Sequence, residues 1–366
     1  MKLECTTKNL KDAIGKAQKI IVKSSNTPIL SSILLKTIDK SLFIRSTNLH
    51  IGIELEIPVI IQEQGSFLVS GEVFSQVLSS IPDEGMLSVY MEEGNLKIQT
   101  KKSVISINSS GDTEEFPTLP KVSEKPFSLS LESFLDGVKS VYYCASVSDI
   151  KPEISSVYMY SDGNELTFVS TDSFRLAEKR IFVEGLQDIN GILLPYKNVL
   201  ELIKLLSDSE GEVTIGFNEN QINISLPGIF ISSRIVNGTY PNYKMIIPKE
   251  FKTEVIALKQ DLLNTLKLST IFSDKFNQIH VAIDSNTKHL IMKAKNSQKG
   301  ENISEIDSTI KGDSIEINFN HRYFTESFQS IATDSVIIQC NEENRPVVIQ
   351  GVGDKSFLYL IMPMNR

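Results

Sequence analysis

One pattern recurs three times along the chain, and it limits the possible folds more than any other feature. Pro28-Ile29-Leu30-Ser31-Ser32-Ile33 reappears as Pro152-Glu153-Ile154-Ser155-Ser156-Val157, an offset of 124 residues. Ser46-Thr47-Asn48 returns as Ser170-Thr171-Asp172 at the same offset, and Asn296 holds the corresponding place 124 residues further on. Phe116-Pro117 returns as Tyr240-Pro241 at 124 and then as Met362-Pro363 after another 122. Between these landmarks Phe74, Val77, Leu78 and Ile81 match Val199, Leu202, Ile203 and Leu206 at 125. The 366 residues therefore read as three copies of about 122, spanning 1–122, 123–248 and 249–366. Solenoid repeats of ~20–50 residues bury a core only by stacking, whereas a copy of this length holds its own.

The elements follow one order in each copy. Leu10, Ile14, Ala17 and Ile21 are spaced to stack on one helical face, and Phe134, Val138, Val141 and Ala145 repeat them. Alternating strands follow, as in Ile51, Ile53, Leu55 and Ile57 with polar or small residues between. A second short helix is expected at 72–81, 197–207 and 321–331. Two helices over one face of an antiparallel sheet of roughly eight strands make each copy an α+β domain.

Composition narrows the function. Apolar residues are 41% and charged residues 22% of the chain, an ordinary globular balance. No apolar run reaches the ~18 residues of a membrane span, so no membrane partner is expected. Cys5, Cys144 and Cys340 are odd in number and scattered, which points to a reducing cytoplasm rather than a disulfide framework. His50, His280, His289 and His321 lack zinc-ligand spacing, and no Cys-x-x-Cys exists, so neither metal nor cofactor is expected. Gly351-Val352-Gly353-Asp354-Lys355-Ser356 resembles a phosphate loop but is followed by a strand-like run, and reads as a hairpin turn. The cluster Thr171-Asp172-Ser173-Phe174-Arg175 offers a base, a hydroxyl and a cation. Asp172 and Ser173 are sequence neighbours that cannot face each other on a regular element, and Asn48 and Asn296 repeat the turn, so the cluster reads first as architecture.

The net charge of −8 argues against nucleic acid, but its distribution reverses that. Lys8, Lys11, Lys16, Lys19 and Lys23 lie opposite the apolar stripe of the first helix. The six expected helices together carry +4, which leaves −12 for the rest. The helical side can attract a polyanion backbone without reading sequence.

Over its whole length the chain resembles the bacterial DNA polymerase III beta subunits, the sliding clamps. The resemblance rests on Pro28-Ile29-Leu30 with Ile33-Leu34-Leu35, Phe116-Pro117-x-Leu119, Thr171-Asp172-x-x-Arg175-Leu176-Ala177 and Pro195-x-Lys197-x-Val199-x-Glu201-Leu202. Gly238-x-Tyr240-Pro241-x-Tyr243 and the terminal Met362-Pro363-Met364 complete it. It implies three tandem clamp domains, a head-to-tail homodimer ring around double-stranded DNA, and no catalysis. The implied partners are the DNA polymerase III catalytic subunit, the clamp loader and other proteins carrying a clamp-binding peptide. The implied peptide groove comprises Thr171, Ser173, Phe174, Arg175, Leu176, Pro241, Met245, Ile246, Phe276, Pro346, Leu360, Met362, Pro363 and Met364, with Arg175 as a rim anchor. DNA would be faced by the five lysines of the first helix and Lys197. The dimer interface would set Lys102, Ile105 and Ile107 against Ile271, Phe272, Glu301 and Glu305. Ser173-Phe174 replaces the Gly-His of many members, the tail carries its basic residue one place late at Asn365-Arg366, and the loop Lys23-Ser24-Ser25-Asn26 offers a single charge. Two other classes compete: a monomeric sugar- or nucleotide-modifying enzyme using Asp172 and Arg175, and a peptide-binding adaptor that never encloses DNA.

Overall fold

Six α-helices form: α1 (Thr7–Gln18), α2 (Gly71–Ser79), α3 (Leu131–Val141), α4 (Tyr196–Leu206), α5 (Lys259–Ile271) and α6 (His321–Ser327). They are the α-helices among residues 1–22, 27–83, 85–122 and 126–364, which the computed structural model describes. The hydroxyls of Thr6 and Ser130, 124 residues apart, accept the N–H of Asn9 at 3.4 Å and Ser133 at 3.1 Å, satisfying first-turn donors of α1 and α3. Leu10, Ile14 and Ala17 are buried as expected, as are Phe134, Val138, Val141 and Ala145. The first helix was expected to run to residue 23 but stops at Gln18. Lys19 and Ile20 N–H bond to Lys16 and Ala17 carbonyls, tightening the last turn. That turn buries Ile20 and leaves Ile21 only half-buried.

The chain divides into two units. The first comprises Met1–Phe134 and Lys197–Ile235. Its five-stranded sheet runs Ile60–Glu63, Lys2–Thr6, Met86–Glu92, Asn95–Gln99, Val104–Asn108. Its eight-stranded sheet runs Phe127–Ser130, Glu212–Phe217, Gln221–Leu226, Ile229–Arg234, Ile51–Pro58, Ser41–Thr47, Ser32–Ile38, Ser66–Ser70. Ile51, Ile53, Leu55 and Ile57 are buried in period two, with Glu54 and Glu56 on the other face.

The second unit comprises Leu135–Tyr196 and the chain from Val236 on. One twelve-stranded sheet organises it, in the order Ile192–Pro195, Ser156–Asp162, Glu165–Thr171, Arg175–Phe182, Phe357–Ile361, Val347–Gly351, Ser335–Cys340, Thr253–Leu258, Gly300–Lys311, His289–Asn296, Gln278–Asp284, Ile315–Asn320. The pairings are antiparallel. The middle repeat is thus shared out: its outer hairpins extend the first repeat's sheet, and strands 156–195 extend the third's. The loop at Gly351–Ser356 is a hairpin turn, with Gly353 at a φ of 80°. All three cysteines are buried and unbridged.

Candidate functional site

The site is built on the corner between strands Glu165–Thr171 and Arg175–Phe182. Thr171 Oγ1 donates to the Arg175 carbonyl at 2.6 Å and accepts the Ser173 N–H at 3.1 Å. Asp172 Oδ1 accepts the Phe174 and Arg175 N–H groups at 2.9 and 3.0 Å. These bonds hold Ser173 at a φ of 77° and turn Phe174 outward, 61% exposed. The Phe174 carbonyl in turn accepts the Met362 N–H at 2.8 Å, so the terminal strand is tied to the corner.

Beneath the corner, Leu176 and Leu360 pair across adjacent strands in a core that includes Val169, Tyr240 and Tyr243. Met362 packs half-buried onto that core. Tyr243 OH donates to Glu178 Oε2 at 2.6 Å and lies 2.7 Å from Tyr160 OH. Burial, then the Glu178 carboxylate, push the Tyr243 phenol above its ordinary range, so it stays a hydrogen-bond donor. Above this floor opens a cleft of about 620 Å³. Met245, Ile246, Ile247 and Pro248 line it from one segment, Asn341, Glu342, Asn344, Arg345 and Pro346 from another, and Met362 from the terminal strand's end. Met245 is 81% exposed, an unbranched thioether free to adapt to different apolar guests. Lys249, Glu250, Lys252, Glu342 and Arg345 give the cleft a charged rim.

Of the expected groove residues, Met245, Ile246, Pro346 and Met362 line this one cleft. Leu176 and Leu360 are buried in the core onto which Met362 packs and do not line the cleft, and Thr171 is a buried strut of the corner. Ser173, Phe174 and Pro241 are exposed, Phe276 is exposed in the loop after α5, and Pro363 and Met364 are half-buried; none of them lines the cleft. The Met364 N–H is fixed to the Asn318 carbonyl at 2.8 Å.

Arg175 differs from expectation. It is not a free rim cation. Nε donates to Asp172 Oδ2 at 2.9 Å, Nη2 to the Tyr143 carbonyl at 2.7 Å, and Nη1 pairs closely with Glu326. The guanidinium also lies 4.3 Å from the Tyr323 ring centroid. These contacts pin the corner to α6. Sequence reasoning missed Tyr323 and Glu326 because only the fold brings them to Arg175. It also missed Ile247 and Pro248, which follow Met245 and Ile246 in the chain and line the same cleft.

Three successive family models, each described as a DNA polymerase III beta subunit domain, match residues 1–120 (N-terminal), 128–242 (central) and 244–365 (C-terminal). The chain belongs to the DNA polymerase III beta subunit family. It is 24% identical over 358 residues to the beta sliding clamp of Staphylococcus aureus Mu50, covering 95% of this chain and 94% of that one. With the Synechococcus elongatus beta sliding clamp it shares 22% identity, covering 100% of this chain and 99% of the relative. The Bacillus subtilis sliding clamp structure superposes with a TM-score of 0.95 at 21% identity, covering 100% and 99% of the two chains. The Thermotoga maritima beta subunit gives 0.92 at 25% over the same shares. The fold is that of three tandem clamp domains, and the function is that of a DNA sliding clamp.

The basic helix is thinner than its sequence implied. Lys11 is mostly buried and reaches Asp83 at 2.5 Å and the Ile81 carbonyl. Lys16 donates to Ser209 Oγ at 2.9 Å, and burial lowers its pKa. Lys19, past the helix end, donates to the Lys204 carbonyl at 2.9 Å. Lys8 and Lys197 are exposed, and Lys23 lies outside the described residues, as do the rest of its loop and the Asn365-Arg366 tail.

Of the expected interface residues, Ile107 is core, 5% exposed, because it pairs with Leu96 on the inward face of its sheet. Ile105 and Lys102 line a cleft of about 820 Å³ with Val77, Ile81 and Met86. In the second unit Ile271 is exposed, Phe272 half-buried, and Glu301 pairs with Lys295 at 3.7 Å. Glu305 is exposed, next in line to exposed Ile303.

Proposed function

We propose that two copies of this chain close head to tail into a ring that encircles duplex DNA, touches only its backbone, and tethers the DNA polymerase III catalytic subunit at the primer end. The clamp loader and other peptide-bearing proteins would share the cleft beside Met245. Tethering raises the local concentration of polymerase without making or breaking a bond, so no catalytic residue is required. The work would take place in the cytoplasm, where a bacterial chromosome is copied. Domain boundaries near 122 and 248 fit this reading.

The observation that carries the ring is a pair of open sheet edges with apolar flanks. Val104–Asn108 ends the five-stranded sheet, beside the cleft lined by Val77, Ile81 and Met86. In the second unit Gly300–Lys311 pairs with Thr253–Leu258 only at residues 308–311, so residues 300–307 have a partner on one side only. Leu268, Ile271 and Ile303 are exposed on that unit. Such edges invite strand addition, and mutual pairing between two copies removes both, twice over by symmetry.

The test loads the protein on a nicked circular plasmid and then linearises the DNA. Retention on the circle and loss from the linear form is expected, together with a solution mass of twice 40.9 kDa. Equal retention on both forms would refute enclosure. For the cleft, M245E is expected to abolish polymerase stimulation while leaving retention on the circle intact.

A further inference from the structure

We propose that the first unit carries a second binding site, for an aromatic side chain borne on an acidic segment of a partner protein. It lies on the face of the eight-stranded sheet turned away from α1. The site is independent of ring closure and of the cleft beside Met245.

The internal repeat exposes it. At an offset of 124, Glu54 corresponds to Glu178, Leu119 to Tyr243, and Lys36 to Tyr160, and the strand registers agree: Arg45 pairs with Glu54 as Val169 pairs with Glu178. In the second repeat the space over Glu178 is filled from within, because Tyr243 reaches the carboxylate at 2.6 Å and meets Tyr160 at 2.7 Å. In the first repeat neither phenol exists. Leu119 turns the other way, toward Gly52, where an added Cβ would stand 2.3 Å from its Cδ2. The tyrosine position is therefore vacant, and a cavity of about 230 Å³ remains.

Its chemistry states what fits. The floor is apolar: buried Leu34, half-buried Phe43 and the edge of Ile38. Three cations surround it, Lys36, Arg45 and Lys121, against the single carboxylate of Glu54, on a chain whose net charge is −8. Arg45 is held in place by Glu54, with Nε 2.9 Å from Oε2, and Lys121 stands 5.6 Å from the Phe230 ring centroid. An apolar cavity of ~150 Å³ accommodates benzene, so this one has room for one ring and its attachment. The surplus of two cations selects carboxylates flanking that ring. A single ring-sized cavity takes one side chain, as a peptide offers, rather than the successive stacked bases of a nucleic acid strand.

The probe is a fluorescein-labelled, capped pentapeptide with phenylalanine between two pairs of acidic residues, followed by fluorescence anisotropy on the full chain. Exposed Lys36 is changed to tyrosine, the residue the second repeat carries, which fills the cavity and removes a charge; K121E is an independent second variant. Both are expected to weaken binding about tenfold, as is alanine in place of the peptide's phenylalanine, while M245E leaves it unchanged. A failure of the native chain to bind would overturn the site. So would binding by K36Y within about twofold of the native chain, equal affinity for the phenylalanine and alanine peptides, or loss in M245E alone. Displacement by an equal concentration of oligothymidylate would assign the surface to nucleic acid instead. A melting curve of K36Y that overlays the native one excludes misfolding as the cause.

Discussion

The corner at Thr47–Ile51 in the first unit and the corner at Thr171–Arg175 in the second share one backbone and differ in what covers it. Thr47 Oγ1 donates to the Ile51 carbonyl and accepts from Leu49 N–H, and Asn48 Oδ1 accepts from His50 and Ile51. Thr171 and Asp172 repeat each of these bonds. Leu49 and Ser173 both take positive φ, 70° and 77°. Even the bond from the last strand recurs, Arg234 N–H to the His50 carbonyl and Met362 N–H to the Phe174 carbonyl, both 2.8 Å. Yet the first corner encloses only about 100 Å³ and the second stands beside about 620 Å³. One substitution explains much of this. Gly52, opposite Thr47, lets Leu119 close over the sheet, whereas Leu176, opposite Thr171, fills that space itself. Tyr243, the counterpart of Leu119, then folds back onto Glu178 and leaves the cleft open. The repeat supplies the scaffold, and the side chains decide which copy has a site.

The largest difference to test is how each corner is held to its helix. In the first unit the Asn198 amide on α4 donates to the His50 and Arg234 carbonyls at 3.3 Å and to Ser233 Oγ at 2.9 Å. In the second the Arg175 fork joins Asp172, Glu326 and the Tyr143 carbonyl over the Tyr323 ring. R175A leaves Asp172 without its cation in a nearly buried setting and is expected to cost about 3 kcal/mol, the lower end for breaking a buried pair since Glu326 is partly solvated. N198A removes neutral bonds and is expected to cost about 1–2 kcal/mol. Urea midpoints of the two variants check the ranking. Equal losses would mean that the two corners are anchored alike. R175A should also weaken peptide capture in the cleft by releasing the corner and with it Met362.

A smaller effect tests the glycine. G52A drives a methyl into Leu119 and is expected to destabilise by about 1–3 kcal/mol through overpacking. In an L119A background the same change should cost far less, because the clash is gone, a coupling that a double-mutant cycle in thermal denaturation reads directly. Additive costs would show that Leu119 does not seal the corner.

Much of this contrast was legible in the chain. The 124-residue offset gave both corners and their asparagine or aspartate, since a side-chain oxygen that caps its own turn leaves a local signature. Met245, Ile246, Pro346 and Met362 were legible only through the family resemblance, which places them position by position where the structure opens a cleft. Contacts between residues distant in sequence were not. Tyr323 and Glu326 lie far from Arg175 along the chain, so a cation that looked free was already committed. Ile105 and Ile107 share one strand face, and period two alone cannot say that Ile107 is core while Ile105 reaches a cleft. Lysines mislead for the same reason: a basic helical face was evident, whereas Asp83, Ser209 and the Lys204 carbonyl, which take up Lys11, Lys16 and Lys19, come from other elements.

The smallest effect concerns that face. The second-unit corner spends its one cation on internal anions, and in the first unit Lys11 does likewise with Asp83. The hydrogen bond from Lys11, then its charge, hold the Asp83 carboxyl below the usual aspartate range. A depressed carboxylate pKa stabilises the fold above its unfolded value, and that contribution disappears as pH falls through the folded value. The pair is solvent-exposed at Asp83, so D83N is expected to leave the melting temperature unchanged at physiological salt. Its effect should appear on DNA instead. With the carboxylate neutralised, Lys11 becomes an uncompensated charge on α1, and binding to linear duplex at low salt should tighten and steepen in its salt dependence by up to about one released counterion per site. An unchanged salt slope in D83N would mean that α1 does not face the duplex.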